Sequence, residues 1–290
     1  SGDRPWATAA QFWWTGSQHA LEIDASQLGF VSPVDVAGTL AISHRAADLN
    51  IPTLFKTPYD PDVARYLKAV GFFDLLPAHS KVRGSIPPSS SMPDYGAMLP
   101  VTRLTSTNQK MVCATLGAVI TDYYRKFIPG VDAGLPVFRA CGELISNAVE
   151  HGESHIGAFV AAQTHTGATT GGIPRMEFAV CDNGVGVLDS LRRNPKLEAL
   201  ADDGPALRAA LRRGVSGAGD HRGDGLYHVI RDTTIRGDVT FTMRSGGAEI
   251  LVTSIHRRIP GIRADRTEGT WAWLTHQVQH PAQNVLQSGQ

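Results

Sequence analysis

Apolar and polar positions alternate through 20-ALEIDAS-26, the pattern of a strand buried on one face. The period then lengthens. The stretch 33-PVDVAGTLAISHRAADLN-50 carries helical periodicity and opens on Pro33, a residue suited to a first helical turn. A second strand and helix follow in 51-IPTLFKTP-58 and 61-PDVARYLKAVGFFDLL-76, with Asp60 placed to cap the helix. This βαβα order predicts a parallel or mixed sheet covered by helices, because parallel neighbours need long crossover connections. From about 79 to 107 the text turns to Pro, Ser and Gly, as in 84-GSIPPSSSMPDYG-96, and reads as a linker.

Beyond it, 108-NQKMVCATLGAVITDYYRKF-127 and 137-VFRACGELISNAVEHG-152 have helical periodicity, the second stopped by Gly152. Strand candidates follow at 156–164, 175–182, 238–245, 248–255 and 270–276. Two helices followed mainly by strands predict an α/β sandwich with its helices on one face of a mixed sheet. Between the strands, 190–225 reads as a long loop, glycine-rich at its end. The expected division is a small α/β domain at 1–80, a linker at 81–107, a larger α/β domain at 108–280 and a tail at 281–290.

Composition narrows the classes. At ~150 residues per domain, 290 residues suit two domains. Lys plus Arg equals Asp plus Glu at 27 each, so no global field draws nucleic acid or an anionic membrane. Cys113, Cys141 and Cys181 are widely spaced in apolar surroundings and form no CxxC pair, which fits reduced core thiols better than a disulfide framework or a zinc site. No apolar run approaches the ~20 residues that span a bilayer, and no signal pattern opens the chain. A cytoplasmic protein is expected.

The stretch 141-CGELISNAVEHGES-154 places a carboxylate, a carboxamide and an imidazole at Glu143, Asn147 and His151. Four-residue spacing keeps them on one helical face, with Leu144, Ile145, Ala148 and Val149 supplying an apolar remainder. After the strand 177-EFAVC-181 comes 182-DNGVG-186, an aspartate entering a turn whose two glycines allow close backbone approach. Taken alone, that string reads better as an ordinary Asx turn. Five glycines punctuate 214-GVSGAGDHRGDG-225 before a helical run from Leu226. Glycines ahead of a helix leave backbone N–H groups free for phosphate oxygens, although a connector needs no such role. The chain has no GxxxxGK[ST], so a P-loop is excluded.

In this order the three strings resemble the GHKL ATPase superfamily: 143-ELISNAVEH-151 resembles the N box, 182-DNGVG-186 the first glycine box and 223-GDGL-226 the second. The resemblance covers roughly 108 to 276 and implies a Bergerat-type fold holding ATP and Mg²⁺ between helices and a lid. It implies Glu143 as general base, Asn147 as Mg²⁺ ligand, and Asp182 as acceptor for the adenine amino group. Gly184 and Gly186 would shape the base pocket, while Gly223, Gly225 and Leu226 form the second box beside the phosphates. The form NAVEHG is closest to the anti-sigma-factor serine/threonine kinases. His151 is then either a nucleotide contact or a helix-end histidine bonded to a local carbonyl. Arg222 and His221, inside the presumed lid, either meet the γ-phosphate or face solvent.

Residues 12–77 resemble a STAS domain, the fold of anti-sigma-factor antagonists. Ser32 lies near the position phosphorylated in that family, but SPVD replaces its DSxG pattern, and a docking domain without phosphorylation is the preferred reading. The expected function is an Mg-ATP-binding ATPase or serine/threonine protein kinase in bacterial signalling. A conformational switch with little hydrolysis is the alternative. A protein partner is expected through the STAS-like part, nucleic acid and membrane are not, and oligomeric state is left open, a homodimer included.

Overall fold

The structure, a computed structural model, describes residues 20–88, 96–128, 134–150, 152, 154–166, 172–217, 224–234, 239–253 and 262–277. The first unit follows the alternation that predicts it. Strand β1 (Leu21–Asp24) buries Leu21 and Ile23 and exposes Glu22 and Asp24, which both pair with Lys56. Helix α1 (Pro33–Asp48), strand β2 (Thr53–Lys56), helix α2 (Pro61–Ala69) and strand β3 (Lys81–Arg83) complete a three-stranded parallel sheet in the order β1-β2-β3. Both helices start where side chains cap them. Asp60 accepts from the Asp62 amide, and Ser32 forms a reciprocal capping box with Asp35.

The second sheet contains strands β4 (Met98–Leu104), β5 (Ala158–His165), β6 (Arg175–Asp182), β7 (Val239–Thr253) and β8 (Ile262–Gln277) in the order β4-β5-β6-β8-β7. Every neighbouring pair is antiparallel, which corrects the expected mixed sheet. Short connections such as β5 to β6 and β7 to β8 suffice for antiparallel neighbours. The described parts of 238–245 and 248–255, expected as two strands, belong to one strand, β7, that bends at Gly246, where φ is +58° and the register shifts. The expected linker at 81–107 holds β3 and β4, one strand of each sheet.

Helices α3 (Gln109–Phe127) and α4 (Leu135–Glu150) cover one face of this sheet, burying Leu116, Ile120, Leu144 and Ile145 with Val160, Phe178 and Leu274. The long stretch 190–225, expected as loop, contains the end of helix α5 (Gly186–Arg192) and all of α6 (Asp203–Ala210), the latter capped by Asp202 and packed on β7. Helix α7 (Gly225–Thr234) packs beside α4.

The helices do not stop at one face. Helix α1 lies on the opposite side, where Leu40 and Ala37 join Phe159, Ala161, Ala179, Cys181 and Trp271 in one core. Eleven of its sixteen residues are buried, because it is covered by both sheets. Coverage of both faces likewise explains why all eight residues of β5 are buried. Cys141 and Cys181 are buried and Cys113 is half-buried, all three as free thiols. No helix among the described residues is long and apolar enough to cross a membrane.

Candidate functional site

Helix α4 turns Val137, Ala140, Cys141, Leu144 and Ile145 into the core. The 3.6-residue repeat therefore sends Glu143, Ser146, Asn147 and Glu150 to another side, where they line a cavity of about 410 Å³. Its floor is Val180 of β6, Ala272 of β8 and Met243 of β7, the residues that strand alternation turns toward α4. Val187, Ser190 and Leu191 of α5 close one side, and Gly225 and Leu226 of α7 close another.

Asp182 ends β6 and is 4 % exposed. Its Oδ1 accepts from the Gly184 amide at 2.8 Å and the Thr270 amide at 3.2 Å. Burial pushes its carboxyl up to about 6, against the opposing pull of those two amides. Two glycines hold the turn that follows. A Cβ on Gly184 would stand 1.6 Å from the Gly152 carbonyl oxygen, which itself accepts from the Val185 amide. Gly186 has φ +75° and starts α5, while Ser245 Oγ accepts from the Val187 amide and donates to the Gly269 carbonyl, tying α5 to β8.

At the other end, a Cβ on Gly225 would stand 2.6 Å from Glu143 Oε2. Only glycine lets the carboxylate rest against the start of α7, where the helix dipole favours negative charge. Gly152, which lies beyond the end of α4, adjoins Asp182, while Glu143 stands on α4 seven residues before its last residue, Glu150. At ~1.5 Å per residue Glu143 therefore stands about 10 Å back along α4 from the helix end nearer Asp182. The cavity is thus elongated, with an apolar floor and a carboxylate toward each end.

Compared with protein-family models and with curated proteins, the chain matches none.

The cavity therefore stands on its own geometry. It brings together Glu143, Asn147, Asp182, Gly186, Gly225 and Leu226 from three separate strings. Gly184 stands behind the wall rather than in it, acting through its contact with Gly152 and its bond to Asp182. His151, His221, Arg222 and Gly223 lie outside the described residues. Sequence reasoning missed Ser146, Glu150, Ser190, Thr270 and the Ser245 tie. Ser146 and Glu150 could have been found, since they continue the polar side of α4 and bond each other at 2.8 Å. Thr270 and Ser245 gave no local signal.

Among the described lining residues the ionisable groups are Glu143, Glu150 and Asp182, all acidic. A cation accompanying a polyanionic ligand would offset its charge against these three groups. Asn147 offers an amide oxygen of the kind that suits a hard ion otherwise held by ligand oxygens and water. Among the described residues, no group of three or more His, Cys, Asp or Glu forms a metal cluster.

Proposed function

We propose that this cavity binds ATP with Mg²⁺ and that the chain transfers the terminal phosphoryl group to water or to a protein hydroxyl, as GHKL ATPases and anti-sigma-factor kinases do. One observation carries the reading: residues from three strings 40 to 80 positions apart converge on one elongated cavity with Asp182 toward one end and Glu143 toward the other. The buried Asp182 carboxylate would accept from the exocyclic amino group of adenine, whose ring suits the apolar floor of Val180, Met243 and Ala272. Asn147 would hold Mg²⁺ through its amide oxygen. A cation held there would offset phosphate charge beside the described lining groups Glu143, Glu150 and Asp182, all acidic. Glu143 would accept the proton of the attacking hydroxyl as its oxygen bonds to phosphorus and the bond to the ADP oxygen breaks. The three-stranded unit would carry the surface for a protein partner.

The test is to incubate the protein with Mg²⁺ and ATP labelled at the γ-phosphate. Released phosphate supports an ATPase, and labelled protein a kinase. Binding without either product supports the conformational switch, and no binding removes the nucleotide reading.

A further inference from the structure

The residues that shape the Asp182 end of the cavity are interleaved in sequence with residues that grip α1 on the opposite face of the sheet. Asp182 faces the cavity; the next residue, Asn183, donates from Nδ2 to the Ala41 carbonyl of α1 at 2.5 Å. Thr270 donates its amide to Asp182; the next residue, Trp271, is buried against α1. There the approach is so close that a Cβ on Gly38 would stand 2.6 Å from the indole Cζ3. Gly269 receives the Ser245 hydroxyl bond; the residue before it, Glu268, forms an ion pair with Arg45. Strand alternation sends neighbours to opposite faces, so the same short segments β6-turn and β8 serve both sides.

We propose that α1 is a positioning element for the nucleotide cavity and that Asn183 is the residue through which it acts, an inference that rests on the nucleotide reading above. The Asn183–Ala41 bond holds the 182–186 turn from behind, at the residue adjoining the carboxylate that would select the base. Ligand at Asp182 and packing at α1 then bear on one backbone segment, and coupling between two such sites is reciprocal: nucleotide tightens α1, and loosening α1 weakens nucleotide.

The experiment uses the full chain with Mg-ADP as probe. Amide hydrogen exchange across 33–48 is measured with and without nucleotide, and affinity is measured by calorimetry for the wild type and Asn183→Ala. The expected result is slower exchange in α1 when nucleotide binds, and a roughly two- to tenfold loss of affinity in the variant, the range set by one hydrogen bond. The nucleotide-induced slowing of α1 should also be lost in Asn183→Ala. Wild-type protein that binds Mg-ADP while exchange in 33–48 stays unchanged overturns the inference and leaves the nucleotide reading standing, whether or not the variant folds. A folded variant with wild-type affinity does the same. Wild-type protein that binds no Mg-ADP overturns the nucleotide reading, and this inference with it.

Discussion

The carbonyl oxygen of Gly152 lies 1.6 Å from the point where a Cβ on Gly184 would stand. Both atoms are set by backbone, so no side-chain rotation relieves the clash. Gly184→Ala must push the 182–186 turn away from the end of α4 and break the Val185 amide bond to Gly152. The expected loss is about 1–3 kcal/mol or more in stability, with nucleotide affinity reduced as well. Urea unfolding and calorimetric titration of the variant measure the two effects.

Burial raises the Asp182 carboxyl to about 6, above the ~3.9 of an unfolded aspartate. A raised folded pKa means that the folded chain holds this proton longer. Its contribution to stability is full below about pH 4 and is lost as pH rises through about 6. Asp182→Asn should remove that dependence and leave the ligand-free protein on the order of 2–3 kcal/mol more stable at pH 7. The same variant should bind nucleotide more weakly, and wild-type affinity should fall as pH drops below about 6. Unfolding curves and titrations across that range check the signs; an Asn variant with unchanged affinity would remove Asp182 from base recognition.

Glu143→Gln retains shape and loses the base. Phosphate release or protein labelling should fall by about 10²–10⁴, the usual contribution of a positioned general base, while Mg-ADP affinity stays within a few-fold. A rate that persists in single-turnover assays would take Glu143 out of the chemistry.

Ser32 is buried and its hydroxyl donates to Asp35 Oδ2 at 2.6 Å, while the Asp35 amide donates back to Ser32 Oγ. Ser32→Ala should cost about 1 kcal/mol through loss of the cap on α1, read as a lower thermal midpoint. A phosphate on Ser32 would face the Asp35 carboxylate, so mass spectrometry of protein incubated with Mg-ATP should find this serine unmodified.

Burial raises the thiols of Cys141 and Cys181 far above their ordinary range and that of half-buried Cys113 less. Since the thiolate is the reactive species, a disulfide reagent should modify Cys113 first in folded protein and all three only after denaturation. Mass-resolved labelling with time distinguishes this order from uniform reaction.

Local periodicity makes much of this fold legible in the sequence. The polar side of α4 was legible because a helix repeats every 3.6 residues whatever surrounds it, so Glu143 and Asn147 had to share a face. The capped starts of α1 and α2 and the alternation of β1 were legible for the same reason: each depends on neighbours in the chain. The short helices α5 and α6 were not, because glycines and charges around them hide a repeat of only seven or eight residues.

An apolar face announces that something covers it, never what. The sequence by itself determined that α1 is a helix and that β5 is wholly apolar in its first half. Only the tertiary structure decided that these two cover each other, across a boundary that composition suggested was a linker. The Thr270 amide on Asp182, the Gly152–Gly184 approach and the Asn183–Ala41 bond join positions 32 to 142 residues apart. Contacts of that span depend on how sheets and helices stack, and stacking leaves no period in the chain to be read.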